Sequence, residues 1–112
     1  MPKQPNILLI VLDTLRRDRL GSYGNNRPTS PNLDEFARDA TRFERAVSPA
    51  QWTIPAHASM FTGVYPSVHG LTQANRVLSG VFPTLAEILQ AAGYHTAAFC
   101  NNPLVGAIDH GL

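Results

Sequence analysis

An unbroken apolar run near the start of the chain, Ile7-Leu8-Leu9-Ile10-Val11-Leu12, limits the folds open to it more than any other feature. The run does not alternate with polar residues and is too short for a typical helix, so it predicts a central parallel strand covered on both faces. It ends at Asp13, and in open α/β sheets ligand-binding groups lie just beyond the carboxyl ends of strands. The run therefore predicts an α/β fold with a mainly parallel sheet and places Asp13 where chemistry is expected.

Capping residues predict three helices in the rest of the chain. Ser30 can cap a helix that has Pro31 in its first turn, and Thr84 can cap another that Gly93 stops. Between them, a helix is predicted to begin at Pro55 and to end at Gly63, which can adopt the left-handed conformation. Apolar spacing predicts an inward face on the first and third helices, formed by Leu33, Phe36, Ala37 and Ala40 and by Leu85, Ile88, Leu89 and Ala92.

Two further segments have the character of strands. Residues 41–47 alternate in polarity, and residues 94–100 predict a second buried strand in which Cys100 is a buried structural thiol. Residues 65–79 show no sustained period and are predicted to be irregular. The order strand, helix, short strand, helix, helix, strand favours α/β layering in one domain.

Composition excludes several classes of function. The formal net charge of +1 gives no electrostatic case for a nucleic-acid or membrane partner, and a single cysteine excludes an intramolecular disulfide or a thiolate metal cluster. Residues 1–6 lack the charged-then-apolar design of a signal peptide, and the apolar run that follows is too short to span a bilayer. We therefore expect a cytoplasmic location.

Four stretches of the chain, taken in order, resemble the sulfatase family of the alkaline-phosphatase superfamily. They are Pro5 to Asp18 continuing to Leu20-Gly21-Ser22-Tyr23-Gly24, Pro28 to Asp34, Trp52 to Gly63 followed by Tyr65-Pro66 and His69-Gly70, and Phe82 to Ala97. The resemblance implies an alkaline-phosphatase-like layered fold, with residues 1–112 as the N-terminal segment of its catalytic domain. It also implies a metal-dependent hydrolase acting on a small-molecule sulfate or phosphate ester.

Asp13 matches the strand-end aspartate that helps to hold a divalent cation in that family. The resemblance implies Ca, Mn, Zn or Mg as the cofactor, with its other ligands beyond this chain. A carboxylate suits hard cations, although an aspartate that merely caps a loop is the alternative. Many sulfatases have a second acidic residue at the position of Thr14, and a hydroxyl is a weaker ligand. Asp18 is predicted to form a salt bridge within its loop.

Thr53 stands where true sulfatases carry the first residue of the motif Cys (or Ser)-x-Pro-x-Arg, which is oxidised to formylglycine. This sequence has Thr53-Ile54-Pro55-Ala56-His57 instead, and threonine is not a known substrate of that oxidation. Thr53 resembles the threonine nucleophile of phosphodiesterase-like and phosphotransferase branches, where the hydroxyl also contacts the metal. The alternative for Thr53 is an ordinary helix-capping hydroxyl.

His57 takes the place of the motif arginine and is predicted to act in catalysis, through a hydrogen bond to Thr53 or to the anion, or through its positive charge when protonated. It cannot make the bidentate contact of arginine. Trp52 is predicted to wall the pocket or to pack, and His69 to be structural. Asn101 and Asn102 follow a predicted strand end and are candidates for substrate contact, while the pair Asp109 and His110 lacks the family's surrounding pattern.

A second function class remains open at this point. A ligand set limited to one carboxylate and one hydroxyl is too small to hold a divalent cation tightly. The alternative to a hydrolase is therefore a non-catalytic module that associates without binding metal. An incomplete sheet would leave an exposed edge, through which self-association is expected.

Overall fold

The structure is a computed structural model that describes residues 4–73 and 77–106. Two short 3₁₀ helices, Arg17–Arg19 and Gly21–Tyr23, come first. Five α-helices follow: α1 (Pro31–Phe36), α2 (Thr53–Thr62), α3 (Pro66–His69), α4 (Leu85–Ala91) and α5 (Pro103–Gly106). None of the helices in these residues is long and apolar enough to cross a membrane. Contacts divide the chain between Arg45 and Ala46 into two units, which are described separately here.

The predicted α/β fold with a mainly parallel sheet is wrong for the residues that the structure describes, because they form helices and no strand. Residues 7–12, 41–47 and 94–100 have no regular secondary structure. A strand exists only when a neighbouring strand completes its backbone hydrogen bonds, and no ladder forms here. The apolar run is consequently uncovered, and all six of its side chains are exposed, Leu8 by 83%. The sheet edge through which self-association was expected is also absent from the described part.

The first unit is organised by polar contacts around Ser30, which is the buried residue of its described part. The Ser30 hydroxyl accepts a hydrogen bond from the Gly21 N–H at 3.0 Å and donates to the Asp34 carboxylate at 3.0 Å. Ser30 is the N-cap residue of α1 and Pro31 follows it, as predicted, but the Ser30 side chain makes no cap hydrogen bond to the helix. A Cβ at Gly21 would lie 2.3 Å from Asp34 Oδ2, so a larger residue here would force the Asp34 carboxylate to shift.

Tyr23 is the centre of a second polar cluster in the first unit. The guanidinium groups of Arg17 and Arg42 each lie 5.2 Å from its ring centroid, and its hydroxyl donates to the Phe43 carbonyl at 2.9 Å. Cation–π contacts at exposed sites contribute about 0.5–1 kcal/mol each. Elsewhere in the unit the predicted loop salt bridge of Asp18 is confirmed, since Arg16 Nη2 lies 2.7 Å from its carboxylate.

The second unit contains a small apolar core around α2, and α2 contacts α3, α4 and α5. The buried apolar residues are Ile54, Ala58, Leu71 and Leu78, with Trp52 and Phe82 packed against them. Helix α2 begins two residues before the predicted Pro55. Pro55 is tolerated because the N–H groups of a first helical turn have no partner within the helix. The predicted end is confirmed, since Gly63 has a φ of 73°.

Two further predictions for the second unit can be compared with the structure at α3 and α4. Residues 65–79 are not wholly irregular, because Pro66 begins α3 and Gly70 ends it at a φ of 72°. The predicted cap of α4 is confirmed: the Thr84 hydroxyl accepts from the Glu87 N–H, and the Glu87 carboxylate accepts from the Thr84 N–H at 2.7 Å.

The predicted inward faces of α1 and α4 are largely wrong. Phe36 is 74% exposed and Ile88 is 53% exposed, and Leu33 and Leu85 are exposed as well. Cys100, predicted to be buried, is also exposed. These residues have apolar character, but no second layer covers them within the described residues, so periodicity alone could not determine their burial.

Candidate active site at the start of helix α2

Thr53 is the first residue of α2, and Trp52 occupies the N-cap position before it. The cap residue makes no side-chain hydrogen bond to the helix, and Thr53 is the residue that directly follows it. Thr53 is half-buried. The first turn of a helix carries the positive end of the helix dipole and N–H groups without partners inside the helix. The position therefore favours a nucleophile that acts on an anionic ester.

His57 lies one turn further along α2, and the structure brings it to Thr53. Its Nδ1 lies 2.8 Å from the backbone carbonyl oxygen of Thr53. A carbonyl oxygen only accepts, so Nδ1 carries the hydrogen and donates. His57 is 6% exposed, and the Phe61 ring packs edge-on against the imidazole at 70°, with centroids 5.8 Å apart. His57 thus contacts the backbone of Thr53 and fixes the first turn.

Asp13 lies in the other unit, in a turn closed by a hydrogen bond from the Leu15 N–H to the Leu12 carbonyl at 3.3 Å. Thr14 in this turn has a φ of 63°, which is rare for a β-branched residue and costs on the order of 1–2 kcal/mol. Its hydroxyl lies 3.4 Å from Asp13 Oδ1. Both residues are exposed. The turn thus places a carboxylate and a hydroxyl side by side, and strained turns of this kind are common at functional sites.

The donors predicted for a metal are all oxygen atoms, which fits a hard divalent cation. They are too few to complete a site, however, because Ca²⁺ takes six to eight oxygen ligands and Mg²⁺ takes six. Within residues 4–73 and 77–106 there is no group of three or more His, Cys, Asp or Glu side chains that could hold a metal ion. Asp13 and Thr53 each offer an oxygen donor of the kind that a hard cation takes, and their role as ligands stays a prediction. Asp109 and His110 lie outside the described residues.

A buried hydrogen-bonded chain that the sequence did not indicate joins α2 to α3. The Leu71 N–H donates to His69 Nδ1 at 3.0 Å, so Nδ1 lacks a hydrogen and Nε2 must carry it. His69 Nε2 lies 3.0 Å from Ser59 Oγ and donates to it. A histidine that donates to a serine does not act as its base, so the pair is not a nucleophile and base. The predicted structural role of His69 agrees with this geometry.

An open cavity of about 530 Å³ lies beside the start of α2, within the second unit. The residues that line it include Gln51, Trp52, Pro55, Pro66, Leu71 and Thr72. Trp52 therefore has both of the roles considered for it, since it lines the cavity and packs against the core. Asn102, a candidate for substrate contact, instead accepts a hydrogen bond from the Leu104 N–H at 2.9 Å and caps α5.

Comparison with known proteins identifies the family. The sequence profile of the Sulfatase family matches residues 5–105. Steryl-sulfatase of Mus musculus is 32% identical over 99% of this chain and 22% of its own length, and arylsulfatase A of Bos taurus is 42% identical over 82% and 19%. The ulvan-active sulfatase of Formosa agariphila is 38% identical over 86% of the chain and 19% of its own length.

The chain thus spans about a fifth of the length of the curated relatives that it matches. No solved structure matches it significantly. The profile match covers both of the segments in which Asp13, Thr53 and His57 lie. This chain belongs to the sulfatase family.

Proposed function

We propose that this chain provides the nucleophile-bearing part of a metal-dependent hydrolase of sulfate or phosphate esters. The observation that carries the proposal is the position of Thr53, the first residue of α2, within the segment that the Sulfatase profile matches. The names of the relatives, among them a steryl-sulfatase and arylsulfatases, support hydrolysis of sulfuric esters. The threonine in place of Cys or Ser favours a direct hydroxyl nucleophile over formylglycine chemistry.

The proposed reaction has two displacement steps. Thr53 Oγ loses its proton to water and attacks sulfur or phosphorus, while the bond to the ester oxygen breaks and the alcohol leaves with a proton taken from water. A water molecule then attacks the same centre and releases sulfate or phosphate, which restores the Thr53 hydroxyl. The positive end of α2 stabilises the anion during both steps. His57 holds the first turn through the Thr53 carbonyl and thereby positions the hydroxyl.

In this proposal Asp13 and Thr53 are two of the oxygen ligands of a divalent cation. Once bound, such a cation lowers the pKa of the attacking hydroxyl and neutralises charge on the ester oxygens. We expect Asp13→Asn in the full-length protein to weaken binding of Ca²⁺ or Mn²⁺ measured by calorimetry, and Asp39→Asn, at an exposed position of the same unit, to leave it unchanged. Equal affinities in the two variants would remove Asp13 from the ligand set.

Turnover by the full-length protein tests the nucleophile. Aryl sulfate, a phosphate monoester and a phosphodiester would each be assayed with Mn²⁺, Zn²⁺ or Ca²⁺. We expect Thr53→Ala to lower kcat by about 10³-fold or more on the preferred ester, as removal of a nucleophile does. Thr53→Ser should retain much of the activity because it keeps a hydroxyl. Thr62→Ala, at the other end of α2, is the matched control, and a Thr53→Ala variant with full activity would disprove the assignment.

A second candidate function, association without metal, rests on the uncovered apolar residues. All six side chains of residues 7–12 are exposed, and exposed apolar runs of this kind commonly mark interaction surfaces. Calorimetric titration of the 112-residue chain with Ca²⁺, Mn²⁺ and Zn²⁺, together with its mass measured by light scattering, separates the two candidates. Tight stoichiometric metal binding by a monomer would contradict the second candidate.

A further inference from the structure

His69 is a buried histidine that the proposed reaction does not use. It is 3% exposed at the end of α3, and Ser59, its partner on α2, is 8% exposed. Its two ring nitrogens have opposite roles, because Nε2 donates to Ser59 Oγ at 3.0 Å whereas Nδ1 accepts from the Leu71 N–H at 3.0 Å. One tautomer of the neutral ring makes both bonds. The junction between α2 and α3 therefore depends on a neutral imidazole.

A proton added to His69 would remove the acceptor of the Leu71 N–H. An imidazolium carries a hydrogen on both nitrogens, so the Nδ1–H would point at the Leu71 N–H, and two donors cannot bond to each other. Leu71 is 1% exposed, so water does not reach its N–H while the segment stays packed. A buried N–H without a partner costs free energy. Protonation of His69 thus opposes the packed arrangement.

The surroundings of His69 also offer no negative charge to an imidazolium. Among the helices, α3 contacts α2, and these two helices, which the structure describes along their whole length, contain no Asp, Glu, Lys or Arg. The titratable side chain of α2 is His57, and exposed Tyr65 before α3 carries a phenol. The described residues between α3 and α4 are uncharged as well. A buried cation without a counter-charge is costly, so the second effect adds to the first.

The other histidines of the described part show that this arrangement is specific to His69. The Nδ1 of His57 donates to the Thr53 carbonyl at 2.8 Å, and an imidazolium can make the same bond. His95 is exposed, so water can solvate either of its forms. Among the described residues, His69 is the histidine for which the structure shows an accepting ring nitrogen. Acidification should therefore break a hydrogen bond here.

We infer that His69 is a pH-sensitive latch, which holds α3 and Leu71 on α2 at neutral pH and releases them when it is protonated. Histidine is the side chain that ordinarily gains its proton between pH 8 and 5. Release would hydrate the imidazolium and the freed N–H, and it would uncover Ile54 and Ala58, which share the core with Leu71. The open form binds one more proton than the closed form, so opening becomes easier as the pH falls. The latch acts with or without catalysis at Thr53.

Hydrogen exchange of the Leu71 N–H in the unmodified 112-residue chain tests the latch. Exchange would be followed by NMR between pH 7.5 and 5.0, corrected for the intrinsic rate at each pH, and the ring ¹⁵N signals would report protonation of His69. A histidine that takes up its proton in the open form alone should raise the opening constant by about 30-fold over this range. The Gly63 N–H, which donates to the Ser59 carbonyl at 2.9 Å, is the internal control and should change little. Leu71 protection that survived protonation of His69, or that fell only as far as that of Gly63, would overturn the inference.

Two substitutions separate the latch from general sensitivity to acid. His69→Asn cannot take up a proton, but its side-chain carbonyl can accept from the Leu71 N–H, so protection of Leu71 should remain and lose its pH dependence. His95→Gln, at an exposed histidine, should leave the 30-fold change in place. Circular dichroism at pH 7.5 would establish that both variants fold. A His69→Asn chain that kept the pH dependence, or a His95→Gln chain that lost it, would overturn the inference. If His69→Asn did not fold, exchange in the unmodified chain would decide alone.

Discussion

The two units of the chain are stabilised in different ways, although both contain apolar segments. In the described part of the first unit, Ser30 is the buried residue, and the contacts are hydrogen bonds, ion pairs and two guanidinium groups over Tyr23. The second unit has a small apolar core around Ile54 and Ala58, and it also buries His57 and His69. Apolar sequence alone therefore did not decide which unit acquired a core.

The difference shows what a core requires besides apolar residues. Ile54 and Ala58 are four residues apart on one helix, so they present one face, which Leu71 covers from beyond α3. Residues 7–12 are more apolar, but as a strand they would need hydrogen-bonded neighbours before their side chains could be covered. Helix α2 makes its backbone hydrogen bonds within itself, so it needs other elements only to cover its apolar face. This is why the second unit has an apolar core.

The largest expected effect comes from a pair of matched truncations, one in each unit. Ile54 is 1% exposed, and Ile54→Ala should lower the free energy of unfolding by about 3 kcal/mol, since it removes buried methyl groups and leaves a cavity. Ile10→Ala, at a residue that is 67% exposed, should change it by less than about 0.5 kcal/mol. Urea unfolding followed by Trp52 fluorescence and hydrogen exchange measures both. Comparable losses would show that the apolar run is covered in solution.

A smaller effect is expected from His69, the buried polar residue that joins α2 to α3. His69→Ala should cost about 2 kcal/mol, because it removes two hydrogen bonds and leaves the Leu71 N–H and Ser59 hydroxyl without that partner. His69→Asn can keep the acceptor for Leu71, and His69→Gln can keep the donor to Ser59, so each should cost less than His69→Ala. His95→Ala, at an exposed histidine, is the control. If His69→Ala lowered the free energy of unfolding no more than His95→Ala did, the buried hydrogen bonds that join Ser59, His69 and Leu71 would be unimportant for stability.

Sequence analysis predicted local features of the fold much better than its layers. Gly63, Gly93 and Thr84 end or cap helices as predicted, because the conformation of a cap depends on a few neighbouring residues. The three strands were wrong because strand formation depends on residues far away in the sequence. The apolar faces of α1 and α4 are exposed for the same reason, because the apolar face of a helix is buried only where another element covers it.

The candidate site was predicted in part for the same reason. His57 lies on the predicted helix and Thr53 lies two residues before its predicted start, so local spacing was enough to place them one turn apart. The contact of His57 with the Thr53 carbonyl instead of its hydroxyl depends on the ring's rotamer and could not be inferred. The bond between Ser59 and His69 spans ten residues and a helix boundary. No periodicity in the sequence would have indicated it.

The cap of α4 offers a test of a local interaction within the second unit. Thr84→Ala should lower the free energy of unfolding by about 1 kcal/mol, because the Thr84 hydroxyl accepts the Glu87 N–H in a complete capping box. Thr96→Ala, at an exposed position outside any helix, is the matched control and should have no measurable effect. The two variants would be compared by urea unfolding. If Thr96→Ala lowered the free energy of unfolding as much as Thr84→Ala did, the effect would come from the removal of any threonine and not from the loss of the cap.

The smallest expected effect is on the pH dependence of stability. It compares two exposed carboxylates, Glu87 in the second unit and Asp18 in the first. The backbone N–H of Thr84, and then its hydroxyl, lower the pKa of Glu87 below its ordinary value of 4.5, so its contribution to stability is present above that pH. The contribution is lost as the pH falls from 4.5 through the lowered pKa.

The hydrogen bond from Arg16 lowers the pKa of Asp18 in the same direction from 3.8. Because that ion pair is exposed and lies outside the second unit, it should add nothing to the unfolding that Trp52 reports. Glu87→Gln keeps an acceptor for the cap but cannot titrate. In urea unfolding, the unmodified chain should lose stability as the pH falls below the ordinary pKa of Glu87. Glu87→Gln should therefore reduce that loss, whereas Asp18→Asn should leave it unchanged. If both substitutions flattened it equally, the two units would unfold together, and the contrast between them would not extend to stability.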